Sequence, residues 1–146
     1  MFVISGCLLG HNCKYNGGNN RNEDVIEFSK THEHIVVCPE SAGNLPCPRL
    51  PAERVGTRIV DKDGNDVTDS FLKGAEISLN TCLKLSEIKG EPLEGAILKA
   101  NSPSCGYGKI YDGTFSGRLV EGNGVFASML ARYGVEIITE KEKIKW

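Results

Sequence analysis

The sequence predicts an α/β fold: a single domain over residues 1–146, with a mostly parallel sheet flanked by helices and small hairpin insertions. Three observations point there. Short, strongly apolar runs, Phe2-Val3-Ile4-Ser5, His34-Ile35-Val36-Val37 and Gly95-Ala96-Ile97-Leu98-Lys99, lie far apart in the chain. Helical patterns and turn residues fill the intervals, and strands alternating with helices favour a parallel sheet. The strands themselves are continuous apolar runs, as expected of strands covered on both faces.

Taken in order, Phe2 to Ser5 reads as the first buried strand. The stretch from Gly10 to Arg21 is rich in Asn and Gly and reads as loop. Asn22 is placed to cap a helix reaching about Lys30, with Glu23 and Asp24 favourably located in its first turn. His34 to Val37 forms the second strand, and Ser41 to Pro51, with its prolines, is irregular. Arg58-Ile59-Val60 and Asp66-Val67-Thr68 around Asp63-Gly64-Asn65 predict a hairpin.

Asp69 is expected to cap a long helix to about Lys89. Ala75, Leu79 and Cys82 share one face of it, and Gly90 ends it. Gly95 to Lys99 is the third strand. Lys109 to Tyr111 and Thr114 to Ser116 predict a second hairpin around Asp112-Gly113. A helix from Gly124 to Tyr133 and a last strand, Val135 to Ile138, complete the chain.

Composition narrows the function. The net charge of −2 supplies no global basic field to draw the chain to nucleic acid. No apolar run is long enough to span a membrane. The N-terminus lacks the basic and apolar regions of a signal peptide, so a cytoplasmic location is expected. In a reducing compartment, six cysteines point to metal binding or catalysis rather than to structural disulfides.

Three of the six share a kind of position. Cys7 follows the first strand, Cys38 ends the second, and Cys105 lies a short loop beyond the third. Ligands of open parallel sheets gather outside the carboxyl ends of the strands, so these thiols are placed to converge. Pro39, Gly106 and the Ser102-Pro103-Ser104 segment shape the loops around them. Cys82 lies on an apolar helix face and reads as core. Cys13, in the Cys7 loop, is open to a role as a further ligand or a resolving thiol, and Cys47 is flanked by two prolines. Position leaves three readings: a cluster with an open metal site, a closed zinc site completed by Cys13 or Cys47, or thiol–disulfide chemistry between Cys7 and Cys13.

The ordered pieces Ile4-Ser5-Gly6-Cys7-Leu8-Leu9-Gly10, Cys13-Lys14-Tyr15-Asn16-Gly17, Cys38-Pro39-Glu40 and Leu45-Pro46-Cys47-Pro48-Arg49 precede two more. These are Asn101-Ser102-Pro103-Ser104-Cys105-Gly106 and Tyr111-Asp112-Gly113-Thr114-Phe115. Together they resemble the thiouracil desulfurase (TudS) family, from about residue 2 to about residue 140. The departures are Cys47 in place of threonine, Gly6 in place of alanine and Asn16 in place of aspartate.

The resemblance implies a [4Fe–4S] cluster on Cys7, Cys38 and Cys105, with the fourth iron open to sulfur. It implies non-redox conversion of a thiocarbonyl to a carbonyl in a small thiolated pyrimidine. In that chemistry Glu40 is the expected base, with a surface position or a salt bridge to Arg49 as its alternative. Ser102 or Ser104 is a hydrogen-bonding or proton-relay group, with a turn role before proline as the alternative for Ser102. A thiouridine in RNA presents the same thiocarbonyl, but the charge of the chain does not indicate a nucleic-acid partner.

Overall fold

In a computed structural model describing residues 1–146, four strands, β1 (Phe2–Ser5), β2 (His34–Val37), β5 (Gly95–Leu98) and β8 (Glu136–Thr139), form one parallel sheet in the order β2-β1-β5-β8. Every residue of the two central strands, β1 and β5, is buried, in keeping with their unbroken apolar character.

Alternate side chains divide between two cores. Val3, Ile35, Val37, Ala96, Leu98 and Ile137 face α3 (Thr68–Lys89) and α4 (Val125–Ala131), where they meet Ala75, Leu79, Cys82, Phe126 and Leu130. Phe2, Ile4, Ile97 and Ile138 face α1 (Glu23–Thr31) and pack with Leu8, Val25 and Phe28. Asn22 caps α1 as expected, its Oδ1 accepting from Val25 N at 3.2 Å. Cys82 is fully buried on the face of α3 that the sequence assigned to the core.

The order β2-β1-β5-β8 reverses direction between β1 and β5. Such a switch point opens a crevice at the carboxyl ends of the two strands. The segments that follow β1, β2 and β5 all emerge at this end. A one-turn 3-10 helix, Gly6–Leu9, follows β1, and a short helix, α2 (Pro39–Ala42), follows β2.

Both hairpins differ from the expected pairing. β4 (Arg58–Asp61) pairs with β3 (Ala52–Val55) across the Gly56-Thr57 turn, and Asp66 meets Val60 only through an isolated bridge. β6 (Lys109–Tyr111) pairs with β7 (Leu119–Glu121) rather than with residues 114–116. Phe115 takes a positive φ of 56°, which an extended strand does not accept. α3 begins at Thr68, so Asp69 lies in its first turn and does not cap it. The Thr68 N–H donates instead to Asp66 Oδ1 at 2.9 Å. Residues 39–42, partly assigned to irregular chain, form α2.

α2 is held by an unusually close approach to α3. A Cβ at Gly74 would collide with the carbonyl of Pro39 and lie 2.8 Å from the nitrogen of Gly43. Glycine inside a helix costs about 1 kcal/mol relative to alanine. Here it lets backbone meet backbone directly beneath the segment that carries Cys38 and Glu40.

Candidate active site

The strand-end crevice is a cavity of about 510 Å³. Cys7, Cys13, Cys38, Glu40, Ser102, Ser104 and Cys105 all line it and so face one space. Cys47 does not. It is exposed, with its Sγ 3.2 Å from Asn12 O and 3.3 Å from Lys14 O.

Cys7 is presented by the 3-10 turn immediately beyond β1. Burial raises its thiol pKa, while the Asn20 side chain and the charge of Lys99 act against that rise. Cys38 stands at the amino end of α2, 3.2 Å from Ser41 Oγ. Cys38 Sγ lies 4.0 Å from Cys13 O, and the proximity of the two thiols holds Cys38 below the ordinary cysteine value and Cys13 above it. Cys105 lies at the buried floor of the cavity, where desolvation pushes its thiol up to about 12. Ser5 Oγ accepts from Lys99 N at 3.0 Å and joins the ends of β1 and β5.

The loop carrying Cys105 is fixed by backbone. The Gly106 N–H donates to Ser102 O at 2.8 Å, and Ser102 Oγ accepts from the Ser104 and Cys105 N–H groups at 3.1 and 3.0 Å. The first free N–H groups of α4, at Val125 and Phe126, donate to the carbonyls of Pro103 and Ser104. The loop thus caps the helix, and the helix pins the loop.

Glu40 joins the two sides of the cavity. Arg49 Nε donates to its Oε1 at 3.0 Å, and Ser104 Oγ donates to its Oε2 at 2.9 Å. Ser102 Oγ lies 2.8 Å from Ser104 Oγ. Since Ser104 gives its proton to Glu40, Ser102 donates to Ser104. The result is a directed chain from Ser102 through Ser104 to Glu40. Arg49 also donates to Pro46 O at 3.1 Å and Cys13 O at 2.8 Å, and its side chain is only 8% exposed. The ion pair that the sequence offered as an alternative to a chemical role for Glu40 is therefore present beside the serine contact.

Other polar groups divide between site and scaffold. Lys99 lines the cavity, yet its Nζ donates to Ala100 O at 2.9 Å and lies 3.6 Å from Glu140 Oε1. Arg54 is held by Gly56 O and Asn123 O. His32 stacks on Phe28 away from the cavity. Asn16 Oδ1 accepts from Gly18 N at 2.9 Å, a turn contact that aspartate would make equally well.

Three lining residues carried no distinct sequence signal: Asn20, Glu53 and Asn101. Asn101 adopts a positive φ of 68°. Only its place between the third strand and Ser102 hinted at the site.

The donor set suits a cluster with an open coordination position. Three thiols approach from separate strand ends, while the cavity beside them leaves room for a small ring. No three His, Cys, Asp or Glu side chains are gathered tightly enough to hold a single metal ion. No helix is long and apolar enough to cross a membrane.

Comparison with known proteins agrees with the geometry. The chain is 36% identical over 152 residues to the uncharacterized protein YbbK of Bacillus subtilis (strain 168), with 97% of each chain covered. The solved structure of a [4Fe-4S]-dependent thiouracil desulfidase, TudS, superposes with a TM-score of 0.84 at 37% identity, covering 96% of this chain and 90% of that one. The family model for 2-thiouracil desulfurase matches residues 2–142. With nearly its whole length matched, this chain belongs to the 2-thiouracil desulfurase family.

Proposed function

We propose that this protein removes sulfur from a thiolated pyrimidine, a thiouracil-type base or nucleoside, with a [4Fe–4S] cluster held by Cys7, Cys38 and Cys105. The net reaction takes one thiocarbonyl and one water to one carbonyl and one hydrogen sulfide. It changes no oxidation state. The observation that carries the reading is the meeting, in one cavity, of three strand-end thiols and the hydrogen-bonded chain from Ser102 through Ser104 to Glu40.

When bound, the cluster supplies a Lewis-acidic iron for the thiocarbonyl sulfur. The protein supplies the acid–base machinery. Arg49 fixes Glu40 Oε1 and leaves Oε2 to receive a proton through Ser104. Ser102 is the outer end of the hydrogen-bonded chain. Its Oγ already accepts two backbone N–H groups, so it orients Ser104, and Ser104 takes the proton of the attacking water as it passes its own to Glu40. Cys13, whose carbonyl lies 4.0 Å from Cys38 Sγ, stands beside a ligand sulfur and tunes it without being a ligand.

Anaerobic reconstitution followed by assay of sulfide release from 2-thiouracil and 4-thiouracil tests this. Uracil and sulfide formed in equal amounts, without an added reductant, are the expected products. A requirement for an electron donor, or sulfur-free reduced pyrimidine as product, contradicts the proposal.

A further inference from the structure

A second carboxylate in the cavity plays no part in the relay. Glu53, on β3, is 9% exposed. Its Oε1 accepts from the Gly113 N–H at 3.0 Å and the Phe115 N–H at 3.2 Å. Its Oε2 has no protein partner, although the residue lines the cavity. Glu40 differs in having both oxygens engaged by the protein. No buried side-chain oxygen in the protein lacks a partner, so the unpartnered Oε2 is reached from the cavity, where a ligand N–H can meet it.

The loop that grips Oε1 is shaped to do so. Asp112 N donates to Arg118 O at 3.0 Å, closing the loop between β6 and β7. Gly113 has φ 94°, and a Cβ there would sit 2.7 Å from Arg54 O. Phe115, also at positive φ, turns its N–H onto the same oxygen. Two backbone donors on one oxygen fix the carboxylate plane and leave the other oxygen to the cavity.

We propose that Glu53 is a substrate-recognition residue whose Oε2 accepts the ring N–H beside the thiocarbonyl. The inference rests on the thiopyrimidine reading above and names what that site selects: the –NH–C(=S)– unit. An ionised carboxylate only accepts hydrogen bonds, so it favours a ring nitrogen that carries a proton and disfavours one that is alkylated. The N–H survives desulfuration. Glu53 therefore distinguishes products as it does substrates, which makes its role measurable by binding alone.

The test uses cluster-loaded wild type and Glu53→Gln. In the variant the two backbone donors hold the amide oxygen at the Oε1 position and turn the amide nitrogen toward the cavity. Calorimetry with uracil and 3-methyluracil, and KM and kcat with 4-thiouracil and 3-methyl-4-thiouracil, are read side by side. Wild type should prefer the unmethylated ring by roughly 10- to 100-fold, the range for a hydrogen bond to a charged group. Glu53→Gln should lose most of that preference through Kd and KM, with kcat changed far less.

Equal binding of uracil and 3-methyluracil by wild type, or no binding of either, overturns the proposal without reference to any variant. A Glu53→Gln protein that retains iron and wild-type discrimination assigns Glu53 to loop anchoring only, and also overturns it. Wild type that discriminates between the two uracils but releases no sulfide from either thiouracil contradicts the desulfurase reading and leaves recognition by Glu53 standing.

Discussion

Ser104 Oγ donates to Glu40 Oε2 at 2.9 Å, joining the loop beyond β5 to the helix beyond β2 across 64 positions of sequence. Ser104 is adjacent in sequence to Cys105, and Glu40 lies two residues beyond Cys38. The contact therefore locks two of the proposed ligand loops together while aligning an acid–base chain.

Replacing Glu40 by Gln should preserve iron and sulfide content while lowering kcat by about 100- to 10,000-fold, the usual contribution of a positioned base. Ser104→Ala should show a similar loss through the interrupted relay. Iron analysis and single-turnover kinetics on the two variants separate acid–base failure from cluster loss. Full activity in Glu40→Gln would remove the carboxylate from the chemistry.

Arg49 is largely buried, and its partner Glu40 is only 17% exposed. Arg49→Ala should destabilise the protein by about 3–5 kcal/mol, because it leaves Glu40 without its counter-charge. Arg49→Lys should recover only part of this. A single ammonium cannot reproduce the planar fork reaching Glu40, Pro46 O and Cys13 O. Urea denaturation of the three proteins checks the order wild type, Lys, Ala.

Gly74→Ala sets helix propensity against space. Alanine gains about 1 kcal/mol in a helix interior, whereas forced overpacking costs about 1–3 kcal/mol. The obstructing atoms are backbone, at Pro39 and Gly43, and cannot rotate away. The expected result is net destabilisation together with impaired cluster assembly, since α2 and its amino-terminal flank carry Glu40 and Cys38. Urea midpoints and iron uptake measure the two effects.

The Arg58–Asp66 pair supplies a pH test away from the cavity. Arg58 Nε donates to Asp66 Oδ2 at 2.8 Å, and this contact, with further hydrogen bonds from Thr68, holds the Asp66 carboxyl well below its usual range. A lowered folded-state pKa contributes stability above the unfolded value, about 3.9, and loses it as pH falls toward the folded value. The stability advantage of wild type over Asp66→Asn should be constant from about pH 5 to 7 and shrink below about pH 4. Thermal melts across that range provide the measurement. The pair is solvent-exposed, so the advantage is modest and weakens with salt.

The parallel sheet was legible because its strands are short apolar runs with helical or turn signals between them. Cys7, Cys38 and Cys105 were legible as a group because each follows one of those strands. The hairpin partners were not. Ala52-Glu53-Arg54-Val55 follows a proline-rich stretch and lacks a continuous apolar run. The Asp63-Gly64 turn suggested pairing toward Asp66, where only one bridge forms. Thr114-Phe115-Ser116 has strand-like composition, but Phe115 is bent into positive φ and its N–H is turned onto Glu53. Missing β3 also hid Glu53, whose importance arises from a loop 60 residues away. The link from Arg49 to Glu40 was visible as an option, whereas the serine relay required the two loops to be seen together.

The proposed chemistry stands on a cluster held by three particular cysteines with a reactive open position. Its most direct test is anaerobic reconstitution with measurement of iron, labile sulfide, zinc and the visible spectrum in wild type and in Cys7→Ser, Cys38→Ser, Cys105→Ser and Cys82→Ser proteins. About four iron and four sulfide per chain are expected in wild type and Cys82→Ser, with brown absorbance and bound iron lost or sharply reduced in the other three. Stoichiometric zinc without a cluster in wild type, or an intact cluster in all four variants, would contradict it.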